Sequence, residues 1–497
     1  MQQTLKQMGL FLPALLGVAS GVQGENKAAR KIPNVVIIMA DDLGYGDLSC
    51  YEATEIHTPG IDRLAAEGLR HCNGHATSAT STPSRFAMLT GMYPFRVGAA
   101  ILPGDAPMLI KEEMSTLPKM FRQAGYATGV VGKWHLGLGN GNLNWNEHIS
   151  PSPNEIGFEY SYIMAATNDR VPSVYVKNGN VVNLDPDDPI EVSYRQNFPG
   201  EPTGKNNPEL LMMHPSVGHA GSIVYGVPRI GFMRGGKAAL WNDETMYEVF
   251  LNEAKNYVHE HKEGPFFLYY ALHQPHVPRL PNEKFAGKSK LGPRGDVILE
   301  ADYCVQEFLK YLDEQGLTDN TIVIFTSDNG PVLDDGYKDQ AVEMNGKHTP
   351  AGPFRGWKCD PYEGGTRIPM IVRWPGEIKA GTTSEALVCQ MDFCASFAGL
   401  LRQDYEVYDG QDVLKALLGK TQKARKSLVL EGYGNSIWIK EGKWGCVPSY
   451  KNRKGNMTEP ELYDLEKDIA QKNNLASQYP EKVKAMTAAL EAVRNRK

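Results

Sequence analysis

Residues 32–40 form a nearly continuous apolar run, with Val35, Val36, Ile37 and Ile38 in succession. A run without polar alternation predicts a central strand covered on both faces. It ends in Asp41-Asp42. Residues 321–326 repeat the pattern as Thr-Ile-Val-Ile-Phe-Thr and end in Ser327-Asp328-Asn329-Gly330. Between these runs, apolar residues at helical spacing predict helices over 61–69, 117–125, 244–261 and 296–316, the last closed by Gly316. This alternation predicts an α/β fold with a large mixed, mostly parallel sheet flanked by helices. Sites in such sheets gather at the carboxyl ends of the strands, where both acidic clusters fall.

From about residue 140 to 241 the pattern breaks into Gly, Pro, Asn and Asp. A loop-rich insertion of this length is a source of substrate contacts. After Pro375-Gly376, residues 388–400, 427–433, 436–440 and 442–446 are short strand candidates, followed by a helix over 480–496. They predict a smaller antiparallel sheet with a helix. The expected organisation is a leader over 1–24, a catalytic domain over 25–380 and a C-terminal α+β subdomain over 381–497, with a soft boundary at 377–384.

The chain has 497 residues, long enough for a sizeable core, and its 41 % hydrophobic and 22 % charged content is that of a soluble globular protein. A net charge of -6 gives no global attraction to nucleic acid or anionic membranes, so an anion site must gather its cations locally. Lys6, an apolar stretch over 8–18 and the small residues Ala19, Ser20, Gly21 and Gly24 read as a secretory signal peptide. No later run is long and apolar enough for a membrane span. The expected location is periplasmic or secreted. Seven cysteines, odd in number and without zinc spacing, predict mostly buried thiols, with a Cys389–Cys394 pairing left open.

Ser81-Thr82-Pro83-Ser84-Arg85 carries the candidate chemistry. Pro83 favours the first turn of a helix that Gly91 ends, which places Ser81 at the cap. A helix N-terminus presents unpaired amides to a sulfate or phosphate, although such a serine in isolation reads as an ordinary N-cap. Asp41, Asp42, Asp328 and Asn329 are an all-oxygen ligand set suited to a hard divalent ion, calcium first and magnesium second. Carboxylates at strand ends also cap turns, but two such clusters argue for an ion. Lys133 and His135 are two apart, so an extended backbone would point both to one side.

These features occur in order with Gly132-Lys133-Trp134-His135-Leu136-Gly137, Pro275-His276-Val277-Pro278, Tyr362-Glu363-Gly364-Gly365-Thr366-Arg367-Ile368-Pro369 and Glu461-Leu462-Tyr463-Asp464-Leu465. Together they resemble the serine-type, formylglycine-dependent sulfatase family of the alkaline phosphatase superfamily, over nearly the whole mature chain. The resemblance implies an alkaline-phosphatase-like fold and oxidation of Ser81 to formylglycine. One hydroxyl of the hydrated aldehyde displaces the alcohol, and deprotonation of the other expels sulfate. A serine at this position implies an anaerobic sulfatase-maturating enzyme as partner. Ser81 would also join the metal ligands, and Arg85 would brace them. By the same resemblance, Lys133 binds sulfate and His135 takes the diol proton. His276 contacts the bridging oxygen, and either His276 or Lys358, in Arg355-Gly356-Trp357-Lys358, protonates the leaving alcohol.

Substrate contacts are expected from Asp169, Arg170 and His219, with His273 either positioning the sugar or packing. The segments 165–172 and 343–356 look most like exo-acting carbohydrate sulfatases for galactose or N-acetylgalactosamine 6-sulfates. The competing expectations are a phosphomonoesterase or phosphonate hydrolase using unmodified Ser81, for which a second metal set is not evident, and an unmodified binding protein for sulfated glycans.

Overall fold

The computed structural model describes residues 32–496. The leader expected over 1–24 lies outside them. A ten-stranded sheet organises the chain, in the order Thr382–Ser384, Leu69–His71, Met370–Arg373, Thr321–Ser327, Asn34–Ala40, Phe266–Ala271, Ala127–Lys133, Tyr160–Met164, Tyr175–Lys177 and Asn180–Val181. The five strands from Thr321–Ser327 to Tyr160–Met164 are parallel; antiparallel pairing begins beyond the two outer strands of this block, and Thr382–Ser384 joins Leu69–His71 in parallel at the edge. This is the mixed, mostly parallel sheet that the apolar runs predict.

Alternate residues of the central strand enter different cores. Val35, Ile37 and Met39 pack with Phe86, Phe121 and Phe397, while Val36, Ile38 and Ala40 pack with Leu64, Phe250 and Phe308. Helices Ser81–Thr90, Leu117–Gln123 and Phe393–Leu401 therefore cover one face, and Pro59–Glu67, Met246–His261 and Gly292–Glu314 the other. A side chain such as Ile37, buried on all sides, contributes about 1.5–3 kcal/mol by leaving water. No described helix is long and apolar enough to cross a membrane.

Two expectations are corrected. Residues 388–400 are mostly helical: only Val388–Cys389 is extended, and Phe393–Leu401 is a helix whose Phe397 ring meets Phe121 at 5.3 Å. A short apolar run reads alike for a buried helix and a buried strand. The loop-rich insertion also supplies strands Tyr160–Met164, Tyr175–Lys177 and Asn180–Val181, which extend the main sheet.

Near the C-terminus, Ser427–Glu431, Ile437–Glu441, Trp444–Val447 and Glu461–Asp464 form a four-stranded antiparallel sheet. Helix Pro480–Asn495 packs Met486 and Leu490 beside Trp438 of that sheet. All seven cysteines are free, and Cys304, Cys389, Cys394 and Cys446 are buried.

Candidate active site

The five parallel strands deliver the candidate residues from adjacent carboxyl ends. Asn34–Ala40 runs into Asp41 and Asp42, and Thr321–Ser327 into Asp328 and Asn329. Ala127–Lys133 ends at Lys133 just before His135, and the chain after Phe266–Ala271 reaches His273 and His276. Beyond Tyr160–Met164 come Asp169 and Arg170. Helix Ser81–Thr90 aims its first turn at this row, with Thr80 as the cap residue and Ser81 as the first helical residue. The expected cap position of Ser81 is thus off by one, because Thr80 is the last extended residue. Gly91, at φ 68°, ends the helix as expected.

Ser81 Oγ lies 2.8 Å from Lys133 Nζ and 3.2 Å from Asp41 Oδ1, and it donates a short hydrogen bond to Asp328. Lys133 Nζ bridges both oxygens of Asp41 at 2.7 and 2.6 Å. Arg85 donates to Asp328 through Nε at 3.0 Å and Nη2 at 2.8 Å, and to the Tyr269 hydroxyl at 2.9 Å. Burial alone would raise the Asp328 carboxyl, but the adjoining Arg85 and Lys133 hold it well below the usual range. Burial pushes Asp41 well up against the pull of Lys133, with Asp328 and Asp42 adding to the rise. Burial also lowers Lys133.

Asp42, at φ 62°, turns its backbone N–H to Asp328 Oδ1 at 3.1 Å. Its side chain accepts from Asn329 Nδ2 at 2.7 Å and Lys358 Nζ at 2.8 Å. Lys358 Nζ also donates to Asp335 at 2.8 Å. Burial would lower the Lys358 ammonium, yet Asp335 and Asp42 raise it well above its ordinary value. His276 Nδ1 donates to the Val277 carbonyl at 2.7 Å, so Nε2 is the nitrogen turned towards Asp42 and Asp335, 3.8 Å from each. Burial, aided by Lys358, lowers His276 to about 4.

The fit of a divalent cation rests on three observations. Ligand atoms of Asp41, Asp42 and His276 lie within 4.8 Å of one another. Asn329 Oδ1 is buried with no hydrogen-bond partner. Burial drives the rise at Asp41, and the neighbouring Asp328 and Asp42 add to it, so a cation beside these carboxylates would favour the ionised form. The residues present fit such an ion, with Asp328 as a further oxygen donor.

Lys133 and His135 are not on one extended segment. The strand stops at Lys133, and His135 has φ 57°. That turn still brings His135 into the cleft, where its Nε2 meets the Leu102 carbonyl at 3.0 Å and Nδ1 is buried without a partner. Burial and Lys133 lower its pKa well below the ordinary value.

A cleft of about 130 Å³ opens above Ser81, lined by His135, Asp169, Arg170, His219 and His276 with Asp335 and Lys358. His219 Nε2 lies 2.8 Å from Asp169 Oδ2, and Arg170 contacts Asp169 at 3.1 Å. Against the effect of burial, Arg170 and His219 hold Asp169 well below its usual value, and Asp169 raises His219. His273 does not line the cleft; it is buried, its ring 6.1 Å from that of Phe250. Asp335 was not among the expected residues. Its signal was the acidic pair Asp334-Asp335 before Gly336, six residues past Asp328-Asn329. Buried Arg279 fixes this loop through the Leu333 and Val332 carbonyls and Asp339.

Residues 33–403 match the Sulfatase family, and residues 358–496 match the family described as N-sulphoglucosamine sulphohydrolase, C-terminal. The chain is 49 % identical over 512 residues to an N-acetylgalactosamine-6-O-sulfatase of Bacteroides thetaiotaomicron, covering 99 % of this chain and all of that protein. It is 32 % identical to human arylsulfatase A over 426 residues, 85 % of this chain and 74 % of that one. A solved structure from work on the metabolism of multiple glycosaminoglycans by Bacteroides thetaiotaomicron superposes with a TM-score of 0.91 at 49 % identity, covering 94 % of this chain and 100 % of that chain.

Proposed function

The chain belongs to the sulfatase family and is a sulfuric ester hydrolase, and on that premise we propose that it is an exo-acting 6-O-sulfatase of galactose or N-acetylgalactosamine residues in sulfated glycans. The observation that carries this reading is the juxtaposition of Ser81, held 2.8 Å from Lys133 Nζ, with a small cleft whose walls present Asp169, His219 and Arg170. The identity to the N-acetylgalactosamine-6-O-sulfatase supports the sugar. The small volume of the cleft supports action on a single sugar at a chain end.

We assign Ser81 as the residue converted to formylglycine by an anaerobic maturating enzyme, and Asp41, Asp42, Asp328 and Asn329, with residue 81, as the calcium ligands. A formylglycine hydrate supplies one hydroxyl to attack sulfur and a second to expel sulfate, and a bound calcium ion supplies Lewis-acid polarisation and orientation of sulfate oxygens. Lys133 and Lys358 bind the sulfate anion from two sides of the Asp41-Asp42 turn, and Arg85 keeps Asp328 ionised and in register. His135 donates through Nε2 to Leu102, so its Nδ1 lone pair is the site for a proton leaving residue 81. Lys358 Nζ, which donates to Asp42 and Asp335, carries the proton for the departing sugar oxygen, while His276, with its hydrogen on Nδ1, presents an Nε2 lone pair towards the same carboxylates. Ionised Asp169 accepts from a sugar hydroxyl, while His219 orients it and Arg170 supports it. The apolar leader over 8–18 supports a periplasmic or secreted location.

A panel of mono-sulfated sugars tests the assignment. Sulfate release from the 6-sulfates of galactose and N-acetylgalactosamine, exceeding that from their 4-sulfates and from glucose-configured 6-sulfates, is expected. Preference for a glucose-configured sugar or for phosphate monoesters would overturn it.

A further inference from the structure

The active-site cleft does not end at Lys358. Cys359, the next residue, lines both that cleft and a wider groove of about 410 Å³ on the C-terminal sheet. The join is built into the backbone. Cys359 N donates to the Ala79 carbonyl at 2.8 Å, two residues before Ser81, and Tyr433 N donates to the Cys359 carbonyl at 2.8 Å. The groove floor is therefore tied to the segment that carries the nucleophile position.

The chemistry of the groove differs from that of the cleft. Tyr433 is 41 % exposed, and the Arg453 guanidinium sits 5.0 Å from its ring centroid. Lys454 follows on the same exposed turn, and Tyr450 lines the wall. Among the described residues neither Arg453 nor Lys454 makes an ion pair, and the only carboxylate lining the groove, Asp360, accepts from Trp357 N at 3.0 Å. An exposed aromatic face suits the apolar face of a pyranose, and unpaired cations beside it suit an anion. The volume falls within the range of about 300–1,000 Å³ typical of small-ligand sites.

We infer that this groove is a subsite for the sugar next to the sulfated chain end, and that it takes an anionic sugar through Arg453 and Lys454 with its ring on Tyr433. The inference rests on the sulfatase reading for the position of the chain end. The anion is a uronic carboxylate or a further sulfate, which offer the same oxygens to a guanidinium. A chain-end sugar seated in the small cleft directs the rest of the glycan outward past Cys359, into a groove where cations without an ion pair meet an exposed tyrosine.

The test compares matured wild-type protein with the Arg453→Ala/Lys454→Ala double variant; both side chains are exposed, so the fold does not depend on them. Four substrates are used: a 6-sulfated monosaccharide, and that sugar linked to a uronic acid, to the same unit reduced to a neutral sugar, or to a neutral sugar carrying its own sulfate. The ratio of kcat/KM for the uronic acid substrate to that for the monosaccharide falls roughly five- to tenfold in the double variant, and the advantage over the neutral-neighbour substrate disappears. The fourth substrate shows whether sulfate replaces carboxylate. Equal wild-type rates with anionic and neutral neighbours, or an equal loss on the monosaccharide, would overturn the inference.

Should no chain-end 6-sulfate be hydrolysed, the sulfatase reading of the substrate fails by itself. The groove is then decided by calorimetry of an unsulfated, uronic-acid-containing oligosaccharide on protein with serine at position 81. A Kd weakened roughly fivefold or more by the double variant supports the subsite. Absence of binding, or equal binding by both proteins, refutes it.

Discussion

The floor of the site and its rim are built on different principles. Asp41, Asp42, Ser81, Arg85, Lys133, Asp328 and Asn329 sit on strand ends and one helix start, each at most 3 % exposed, in a closed web of charge-assisted hydrogen bonds. The rim residues Asp169, Arg170, His219 and Asp335 come from loops, and their side-chain hydrogen bonds are to one another, to Thr167 and the Val217 carbonyl on the same loops, or to Lys358. The floor can therefore be preorganised for charge, because every displacement breaks several buried contacts. A rim on loops can be reshaped for a different sugar while that web stays intact. On the proposed reading chemistry and specificity are separable, and the effects expected of floor and rim variants probe that separation.

The largest effect falls on the floor. Ser81→Ala removes the residue assigned as nucleophile precursor, and sulfate release from every sulfate ester drops by about 10⁴-fold or more, whatever the sugar. A residual rate within tenfold of wild type would place the chemistry elsewhere. Next is removal of the ion: chelation followed by dialysis lowers kcat by about 10²-fold or more on sugar and aryl sulfates alike. Because an ion bound only by the folded chain stabilises it, Tm falls as well and returns with calcium in preference to magnesium.

The rim gives a smaller and selective effect. Asp169→Ala or His219→Ala lowers kcat/KM on the 6-sulfated sugar by about 10²-fold, while a small aryl sulfate, which has no hydroxyl for them to read, changes by less than about threefold. Equal losses on both substrates would merge rim and floor into one unit.

The smallest effect is a pH dependence of stability. Asp169 raises the pKa of His219 above its ordinary 6.5, so the pair's contribution is complete below that value and is lost as pH rises through the raised one. Melting curves between pH 6 and 9 should show wild type losing its advantage over His219→Gln by about 1 °C or less, since a chain this long converts little free energy into Tm. A growing advantage at high pH would contradict the assigned proton position.

The floor was legible in the sequence because strand-end chemistry follows from two local signals, an apolar run and the polar cluster that stops it. Asp41-Asp42 and Asp328-Asn329 are read this way; Pro83 and Gly91 place Ser81 at a helix start, while its role and those of Arg85 and Lys133 came from the resemblance to the sulfatase family. The rest depended on tertiary geometry. His135 reaches the cleft through a left-handed turn that no alternation pattern encodes. Asp335 lies on an aperiodic loop whose position is set by Arg279, distant in sequence. Residues 388–400 carry apolar side chains at most positions, so burial on the face beside Phe121 decided for helix where the pattern alone left both conformations open. His273 directly follows the apolar strand end Ala271-Leu272 and turns inward against Phe250, a packing role its sequence left open beside sugar binding.

The central claim is that residue 81 of the working protein is an aldehyde. The mass of the peptide containing position 81, measured on protein purified from its native host alongside its rate on a 6-sulfated N-acetylgalactosamine, tests it directly. The account predicts the loss of two hydrogens relative to serine, or the corresponding hydrate, in proportion to activity. An unaltered serine in protein that hydrolyses the sulfate ester at full rate would contradict it.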